Sequence, residues 1–374
     1  MLTSELDYTL PPELIAQHPV IPRDHSRLLV YDRHAEKIEH TRLPDLLSHL
    51  NPGDALVYND SRVLRARLQV VKLTGGKVEL LFLQRRRPGL WEALVKPSAR
   101  LSAETPLSLP DSESNSVSQS VSQSESHSVS QSAAELTAPG GEAGEHAAGA
   151  IFTLKENLGG GRWLVKNMTA GTTEELLERF GEMPLPPYIK APLEEPERYQ
   201  TVYATSSGSA AAPTAGLHFT PELIEHVKAE GVALLPLTLH IGLDTFRPIG
   251  EDELELHEIH SEHYVMPSST YSGVVQAKQR GGRVVAVGTT TVRVLETVFQ
   301  EEQGPLSGET SLFITPGYDF RAVDALLTNF HLPKSTLLAL VMAFAGVEHT
   351  RRLYHEAVRE KYRFFSFGDA MLIG

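Results

Sequence analysis

The feature that most constrains the fold is an alternation of short apolar runs with segments of helical spacing. Apolar runs of a length typical of buried strands occupy residues 55–58, 233–239, 283–287 and 311–314. Helical spacing is found in residues 268–280, 290–300 and 334–345. Because such strands and helices bury their apolar sides against each other in layers, the pattern predicts an α/β domain with a three-layer α/β/α sheet.

The middle of the chain has a different pattern. Apolar and polar side chains alternate at least in part, with Gly-Gly or Pro-Gly turns between the runs, in residues 64–71, 77–83, 91–95 and 162–165. Several short strands with glycine turns predict a small β-barrel or sandwich. A chain of 374 residues exceeds the usual size of a single core. We therefore predict a discontinuous α/β catalytic domain from residues 1–62 and 186–374, with a β-barrel domain of residues 63–185 inserted into it.

A low-complexity stretch lies within this inserted segment. Residues 112–132 repeat Ser-Val-Ser-Gln-Ser, and a stretch rich in Gly, Ala and Pro follows at residues 138–149. Such a composition cannot bury enough apolar surface to offset the entropy of ordering the chain. We expect a disordered loop at about residues 104–149, with a functional tail as the alternative.

The charge and composition limit the possible partners. The net charge of −13 argues against nucleic acid, because phosphate binding depends on Lys and Arg. This objection is weakened because residues 101–150 hold seven acids and no basic residue, while basic clusters remain at residues 62–67, 85–87 and 351–363. Each cluster could equally be a solvated surface. The absence of cysteine excludes thiolate catalysis and cysteine-based metal sites. Neither a membrane-length apolar run nor a secretion signal is found, so a cytoplasmic location is expected.

The loop of residues 208–220 is the first candidate site. Gly208 and Gly216 are expected to allow positive φ angles and close approach to a ligand, and Thr214 and His218 supply reactive side chains. Thr220 then provides an N-cap hydroxyl for a helix, whose N-terminus suits a carboxylate or phosphate. The alternative is a surface loop without chemical function.

Polar residues also follow two of the predicted strands. Ligands of open α/β sheets bind at the carboxyl ends of strands. The first group is Asn59, Asp60 and Arg62, for which a simple turn is the alternative. The second group, which could bind an anionic or polar ligand or could be an ordinary N-capped helix, is Gly288, Thr289, Thr290 and Arg293.

Two further segments combine groups suited to proton transfer or hydroxyl binding. His257 and His260 with Glu262 fit such roles better than a metal site, because their spacing differs from the helical zinc pattern. Asn329, His331 and Lys334 could reach one ligand, although the surrounding residues could equally be helix start signals. Near the end of the chain, Asp369 lies among aromatic residues that are more often core than a base-stacking surface.

Longer runs of the sequence carry a family resemblance. They are residues 184–189, 199–203, 208–220, 239–248, 287–290, 328–334 and 362–373. Together they resemble the S-adenosylmethionine:tRNA ribosyltransferase-isomerases of queuosine biosynthesis, from about Leu10 to the last residue. The chain departs from that family after Tyr203, where Ala-Thr-Ser-Ser replaces a usual charged residue, at His263, where an aromatic is usual, and in the long insertion.

The resemblance implies a fold and a reaction. The fold is an α/β domain with an inserted β-barrel. The reaction transfers the ribosyl group of S-adenosylmethionine onto 7-aminomethyl-7-deazaguanine at the tRNA wobble position, which gives epoxyqueuosine and releases adenine and methionine. The implied partners are S-adenosylmethionine as co-substrate and the anticodon arm of tRNA with a GUN anticodon. No further cofactor, no metal and no membrane are expected, and the expected oligomeric state is a monomer.

The chemistry of that reaction assigns roles to residues. The sulfonium makes C5′ acidic, and the departing adenine needs a proton or a hydrogen bond. We predict His218, His240 and His331 as acid–base groups, with Asp60, Asp244 and Asp369 as orienting or ribose-binding carboxylates. Thr289, Thr290 and Arg293 are expected to hold the methionine carboxylate or a phosphate. The full substrate-binding set is predicted to be Asn59, Arg62, Thr214, Gly216, Asp244, Arg247, His257, His260, Glu262, Gly288, Thr289, Thr290, Arg293, Asn329, Lys334 and Asp369.

These assignments require the separate glycine-bearing loops, including Ala215, Gly288 and Asn329, to meet at one cavity. Two other functions remain open on the residues alone. One is a non-catalytic RNA-binding protein that uses the barrel, and the other is a nucleoside or sugar transferase that acts without RNA.

Overall fold

A computed structural model describes residues 1–110, 150–242, 249–301 and 304–374. It divides into two compact units. The large unit comprises Met1–Val63 and Leu185–Gly374, and the small unit comprises Leu64–Pro184.

The strands of the large unit, numbered in chain order, are β1 (Arg27–Asp32), β2 (Lys37–Arg42), β3 (Ala55–Asn59), β4 (Ser61–Val63), β11 (Ser206–Ser209), β12 (Ala233–Leu239), β13 (Glu262–Val265), β14 (Val284–Val287), β15 (Ser307–Thr310), β16 (Ala325–Asn329) and β17 (Ala370–Ile373). Nine of these described strands form one sheet in the order β15-β13-β12-β3-β14-β16-β17-β1-β2, while β4 and β11 pair separately. Neighbouring strands within β12-β3-β14-β16 are parallel. The carboxyl ends of these four strands therefore lie along the same edge.

Helices cover both faces of this sheet. Those of the large unit are α2 (Pro221–Ala229), α3 (Ser268–Gln279), α4 (Thr289–Val298), α5 (Thr336–Ala345) and α6 (Val347–Arg359). Successive residues of β1 show the two faces, because Leu28 packs in a core with α2 residues and Leu29 packs in a second core with residues of α3 to α6.

The small unit is a closed barrel. Its strands, β5 (Arg67–Lys72), β6 (Lys77–Arg87), β7 (Leu90–Lys96), β8 (Pro106–Ser108), β9 (Phe152–Gly159) and β10 (Arg162–Asn167), pair in the order β10-β7-β6-β5-β8-β9. All of these pairings are antiparallel. Helix α1 (Thr173–Phe180) follows and begins with a capping box between Thr172 and Glu175. The predicted fold class, a three-layer α/β/α domain with an inserted small β-barrel, is confirmed. The Ser/Gln-rich repeat at residues 112–132 lies outside the described residues, while the first residues of the predicted disordered loop include strand β8.

One predicted strand is wrong. Residues 311–314 are irregular, and the strand lies just before them at Ser307–Thr310. Two hydrogen bonds explain the irregular course, because the Thr310 hydroxyl accepts from Leu312 N and the Leu312 carbonyl accepts from Arg293 Nε. Both polar groups of the Leu312 backbone are therefore engaged outside a strand ladder.

Candidate active site

The ends of the parallel strands meet at a small pocket of about 30 Å³, called here the central pocket. The polar or glycine positions in its lining are Thr214, Gly288, Thr289, Thr290, Thr328, Asn329 and His331. Ala215 also lines it, and a Cβ at Gly288 would lie 3.6 Å from the Ala215 Cβ. The predicted convergence of these loops on one cavity is therefore observed.

Gly288 determines how helix α4 enters the pocket. Its φ of +89° is unfavourable for other residues, and it serves as the N-cap of the helix. Thr289 and Thr290 consequently lie in the first turn, where backbone N–H groups have no partner within the helix. Asn59 fixes this region, because its Nδ2 donates to the Leu239 carbonyl at 3.0 Å and to Thr290 Oγ1 at 3.4 Å.

Asn329, the last residue of β16, organises the other wall. Its Oδ1 accepts from Thr214 Oγ1 at 3.2 Å, and its Nδ2 donates both to the Phe365 carbonyl and to His218 Nε2, each at 3.1 Å. Because the Phe365 carbonyl can only accept, the amide orientation is determined. His218 Nε2 is therefore an acceptor, and the neutral ring carries its proton on Nδ1.

Burial keeps both histidines of this region neutral. It lowers the pKa of His331 to about 3. It also lowers the pKa of His218 to about 4, although the nearby charge of Asp369 opposes the change. His331 Nε2 lies 2.9 Å from Thr328 Oγ1. Both rings are therefore neutral at pH 7 and hold no extra proton to donate.

We expect these two histidines to make the fold sensitive to acid. An unfolded histidine binds its proton near pH 6.5, whereas the folded rings do so only near 4 and 3. Between these values the unfolded chain binds more protons, so the stabilisation is complete above pH 6.5 and is lost as the pH falls. The free energy of unfolding can fall by at most about 1.4 kcal/mol per pH unit for each histidine. The free energy of unfolding, measured with urea between about pH 7 and about pH 5, should depend less steeply on pH in His331→Asn than in the parent. Equal slopes would contradict the assigned pKa.

A larger cavity of about 280 Å³ adjoins the central pocket, and Leu337 lines both. It contains His257, His260, Glu262 and Arg293 from the predicted set. Arg293 and Glu262 form a buried ion pair, and Glu262 Oε1 also accepts from Gly242 N at 2.8 Å. His257 Nδ1 lies 2.7 Å from Glu251 Oε2, and hydrogen bonding to that ring lowers the pKa of Glu251.

Asp60 and His240 lie at the ends of β3 and β12. The two oxygens of Asp60 accept from the hydroxyls of Thr238 at 2.6 Å and of Thr205 at 2.9 Å. Burial lowers the pKa of His240, and a neighbouring histidine, His263, stacks on it with the ring centroids 6.1 Å apart. The buried Nδ1 of His240 has no hydrogen-bond partner among the described residues.

The two glycines of the 208–220 loop act differently. Gly208 has a φ of +139°, and a Cβ there would lie 3.0 Å from His240 Cε1. The expectation of a positive φ is wrong for Gly216. Glycine is needed at that position because a Cβ would overlap the Tyr203 hydroxyl. The predicted N-cap is confirmed, since Thr220 Oγ1 accepts from Leu223 N at 3.1 Å.

Three predicted charged residues have protein partners instead of lining the central pocket or the larger cavity. Arg62 Nη2 lies 2.8 Å from Glu197, and Lys334 Nζ lies 2.9 Å from Asp7. Asp369 is buried and accepts from the Arg363 guanidinium at 2.9 Å. Two other predicted residues, Asp244 and Arg247, lie outside the described residues.

Tyr188, Phe365 and Ser366 were not predicted from the sequence to belong to the site. These residues line a third pocket together with Thr214, Asn329 and His331. The Tyr188 hydroxyl lies 2.7 Å from Ser366 Oγ. Both ends of this contact lie in runs that carried the family resemblance, which was the available signal.

The described residues contain no group of three or more His, Cys, Asp or Glu side chains that could hold a metal ion. Within the same ranges, no helix is long and apolar enough to cross a membrane.

Comparisons with known proteins agree in pointing to one family. The family described as queuosine biosynthesis protein matches residues 3–373. A crystal structure of S-adenosylmethionine tRNA ribosyltransferase from Thermotoga maritima is similar, with 36% sequence identity and a TM-score of 0.53, and the match covers 99% of this chain and 100% of that chain. Both matches span the α/β unit and the inserted barrel. The chain therefore belongs to the family of queuosine biosynthesis proteins.

Proposed function

We propose that this protein is an S-adenosylmethionine:tRNA ribosyltransferase-isomerase. It would transfer the ribosyl group of S-adenosylmethionine to 7-aminomethyl-7-deazaguanine at the wobble position of tRNA with a GUN anticodon, and release adenine and methionine. The observation that carries the proposal is the meeting of neutral His331, the Asn329 network and the first turn of α4 at one pocket beside a larger cavity. Membership of the queuosine family and the similarity to the Thermotoga maritima enzyme support it.

His331 is the strongest candidate for the base that removes the C5′ proton next to the sulfonium. It lines the central pocket, and burial keeps it unprotonated at neutral pH. One of its ring nitrogens, Nε2, is occupied by Thr328. The other ring nitrogen makes no hydrogen bond to a described residue. We assign hydrogen bonding to the departing adenine to His240, with the nearby Asp60 as the orienting carboxylate.

The methionine carboxylate is assigned to the first turn of α4. Thr289 and Thr290 combine hydroxyl groups with backbone N–H groups at a helix N-terminus, which favours anions. The Arg293 charge is already compensated by Glu262, so we assign it to the wall of the larger cavity. The protein would act as a monomer in the cytoplasm.

Product analysis tests this proposal directly. S-adenosylmethionine mixed with an anticodon stem-loop that carries the aminomethyl base should give adenine and methionine in equal amounts, together with modified RNA. The same stem-loop with guanine at that position is the control and should give neither product. RNA binding without adenine release would identify a non-catalytic RNA-binding protein. Equal release with the free base and no RNA would identify a small-molecule transferase.

A further inference from the structure

We propose that a second, positively charged pocket beside His218 binds one phosphate group of the tRNA strand that carries the reacting base. This pocket, called here the arginine pocket, is lined by Arg23, Ser26, Arg198, His218 and Arg363 among others. The inference rests on the proposed function, because it assumes an RNA substrate. It adds a site for the RNA backbone to the site for the reacting groups.

Two arginines of this pocket have no ion-pair partner among the described residues. No Asp or Glu of the described residues forms an ion pair with Arg23 or Arg198, whereas Arg363 is paired with Asp369. Arg23 Nη1 and Nη2 donate to the backbone carbonyls of Gln200 and Glu197. These hydrogen bonds fix the position of the guanidinium but do not neutralise its positive charge. Burial and the nearby charge of Arg198 lower the pKa of Arg23. An anion in the pocket would relieve both effects.

The pocket also contains buried polar atoms without a hydrogen-bond partner among the described residues. Ser26 Oγ and Arg198 Nε are buried and have no hydrogen-bond partner among the described residues. Ser26 itself is only 1% exposed. Buried polar groups are nearly always paired in native proteins, so two unpaired ones in a single pocket favour a polar ligand there. His218 adds a third donor, because Asn329 occupies its Nε2 and leaves the proton on Nδ1.

The size and position of the pocket favour a phosphate of a polymer. Its volume of about 20 Å³ suits one small group and not a nucleoside. The adjoining residues 18–25 are half-buried or exposed, and Ile21 is 80% exposed, so a polymer can pass across the opening. Arginines with hydroxyl groups are the usual partners of backbone phosphates. His218 connects the pocket through Asn329 to the central pocket, which places the held phosphate near the reacting base.

Two substitutions test the arginine pocket through RNA binding. Arg198→Gln should weaken binding of the modified anticodon stem-loop at least about tenfold and should lower the slope of log K against log salt by about 0.7, the value for one phosphate on a single strand. Ser26→Ala removes an unpaired hydroxyl without changing charge. It should weaken binding by about threefold to tenfold and leave the salt slope and the melting temperature unchanged or slightly raised. Ser26→Ala therefore tests the pocket even if Arg198→Gln does not fold correctly.

Arg280→Gln is the matched control, because Arg280 is an exposed arginine outside the pocket. It should change RNA affinity by less than about twofold. If Arg198→Gln and Ser26→Ala bind the stem-loop like the parent, the inference is wrong while the proposed function stands. The inference also fails if both variants lose affinity for S-adenosylmethionine alone, since the pocket would then hold its carboxylate. A parent protein that does not bind the stem-loop would instead refute the proposed function.

Discussion

His331→Ala should reduce turnover by about 10²–10⁴-fold, the usual contribution of a general acid–base group. The ring lines the central pocket, is kept neutral by burial and has one nitrogen engaged by Thr328. Its removal eliminates the proposed proton acceptor and leaves space for an imidazole-sized molecule. We therefore expect added imidazole to restore part of the adenine release. A purely structural role would not give such rescue.

The control for this experiment is His226→Ala. His226 is an exposed histidine on α2, and its loss should leave turnover unchanged. Binding of S-adenosylmethionine, measured by calorimetry, should remain within about threefold in His331→Ala, because the residue is assigned to the chemical step. If turnover stays within about threefold of the parent, which corresponds to about 0.7 kcal/mol of barrier, His331 is not the base.

Three of the four parallel strands, β3, β12 and β14, could be predicted because strands buried on both faces are rich in apolar residues, whereas β16 was not predicted. Such strands are continuous apolar runs, as in β14, whose four residues are all buried. The same rule failed for residues 311–314. Ile314 packs in the core and Phe313 against it, so the run is apolar without being a strand. An apolar run indicates that its side chains are buried. Whether it forms a strand depends on the hydrogen-bond partners of its backbone N–H and C=O groups.

The loops that form the site could be predicted from the sequence, but the contacts between their side chains could not. The rule that ligands bind at the carboxyl ends of strands was sufficient to select Gly288. Asn329 was selected because an amide, an imidazole and an ammonium lie within seven residues of the sequence. The bond from Asn329 to His218 joins residues 111 positions apart. Arg293, on helix α4, shows the opposite limit, because its charge suggested an anion site while its partner Glu262 is supplied by strand β13. The tertiary structure determines which charged side chains form ion pairs, so the sequence alone does not show it.

Breaking the Arg293–Glu262 pair should have the largest effect on stability. The two side chains are 6% and 7% exposed, and Arg293 also donates to the carbonyls of Leu312 at 3.0 Å and Thr310 at 3.2 Å. Glu262→Ala would leave the guanidinium buried without its counter-charge. We expect a loss of about 3–5 kcal/mol in the free energy of unfolding. Urea unfolding followed by far-UV circular dichroism measures it, while tryptophan fluorescence reports on the barrel, which contains both Trp91 and Trp163.

The exposed pair of Lys228 and Glu225 provides the contrast. Their side chains are 53% and 69% exposed, so Glu225→Ala should cost less than about 1 kcal/mol. The double variant Glu262→Leu/Arg293→Met removes both buried charges and should recover much of the stability lost in Glu262→Ala. Recovery of stability without recovery of S-adenosylmethionine binding would show that the pair shapes the larger cavity for its ligand. A single variant as stable as the parent would mean that water or another group already compensates Arg293, and the pair would then not hold β13 against α4.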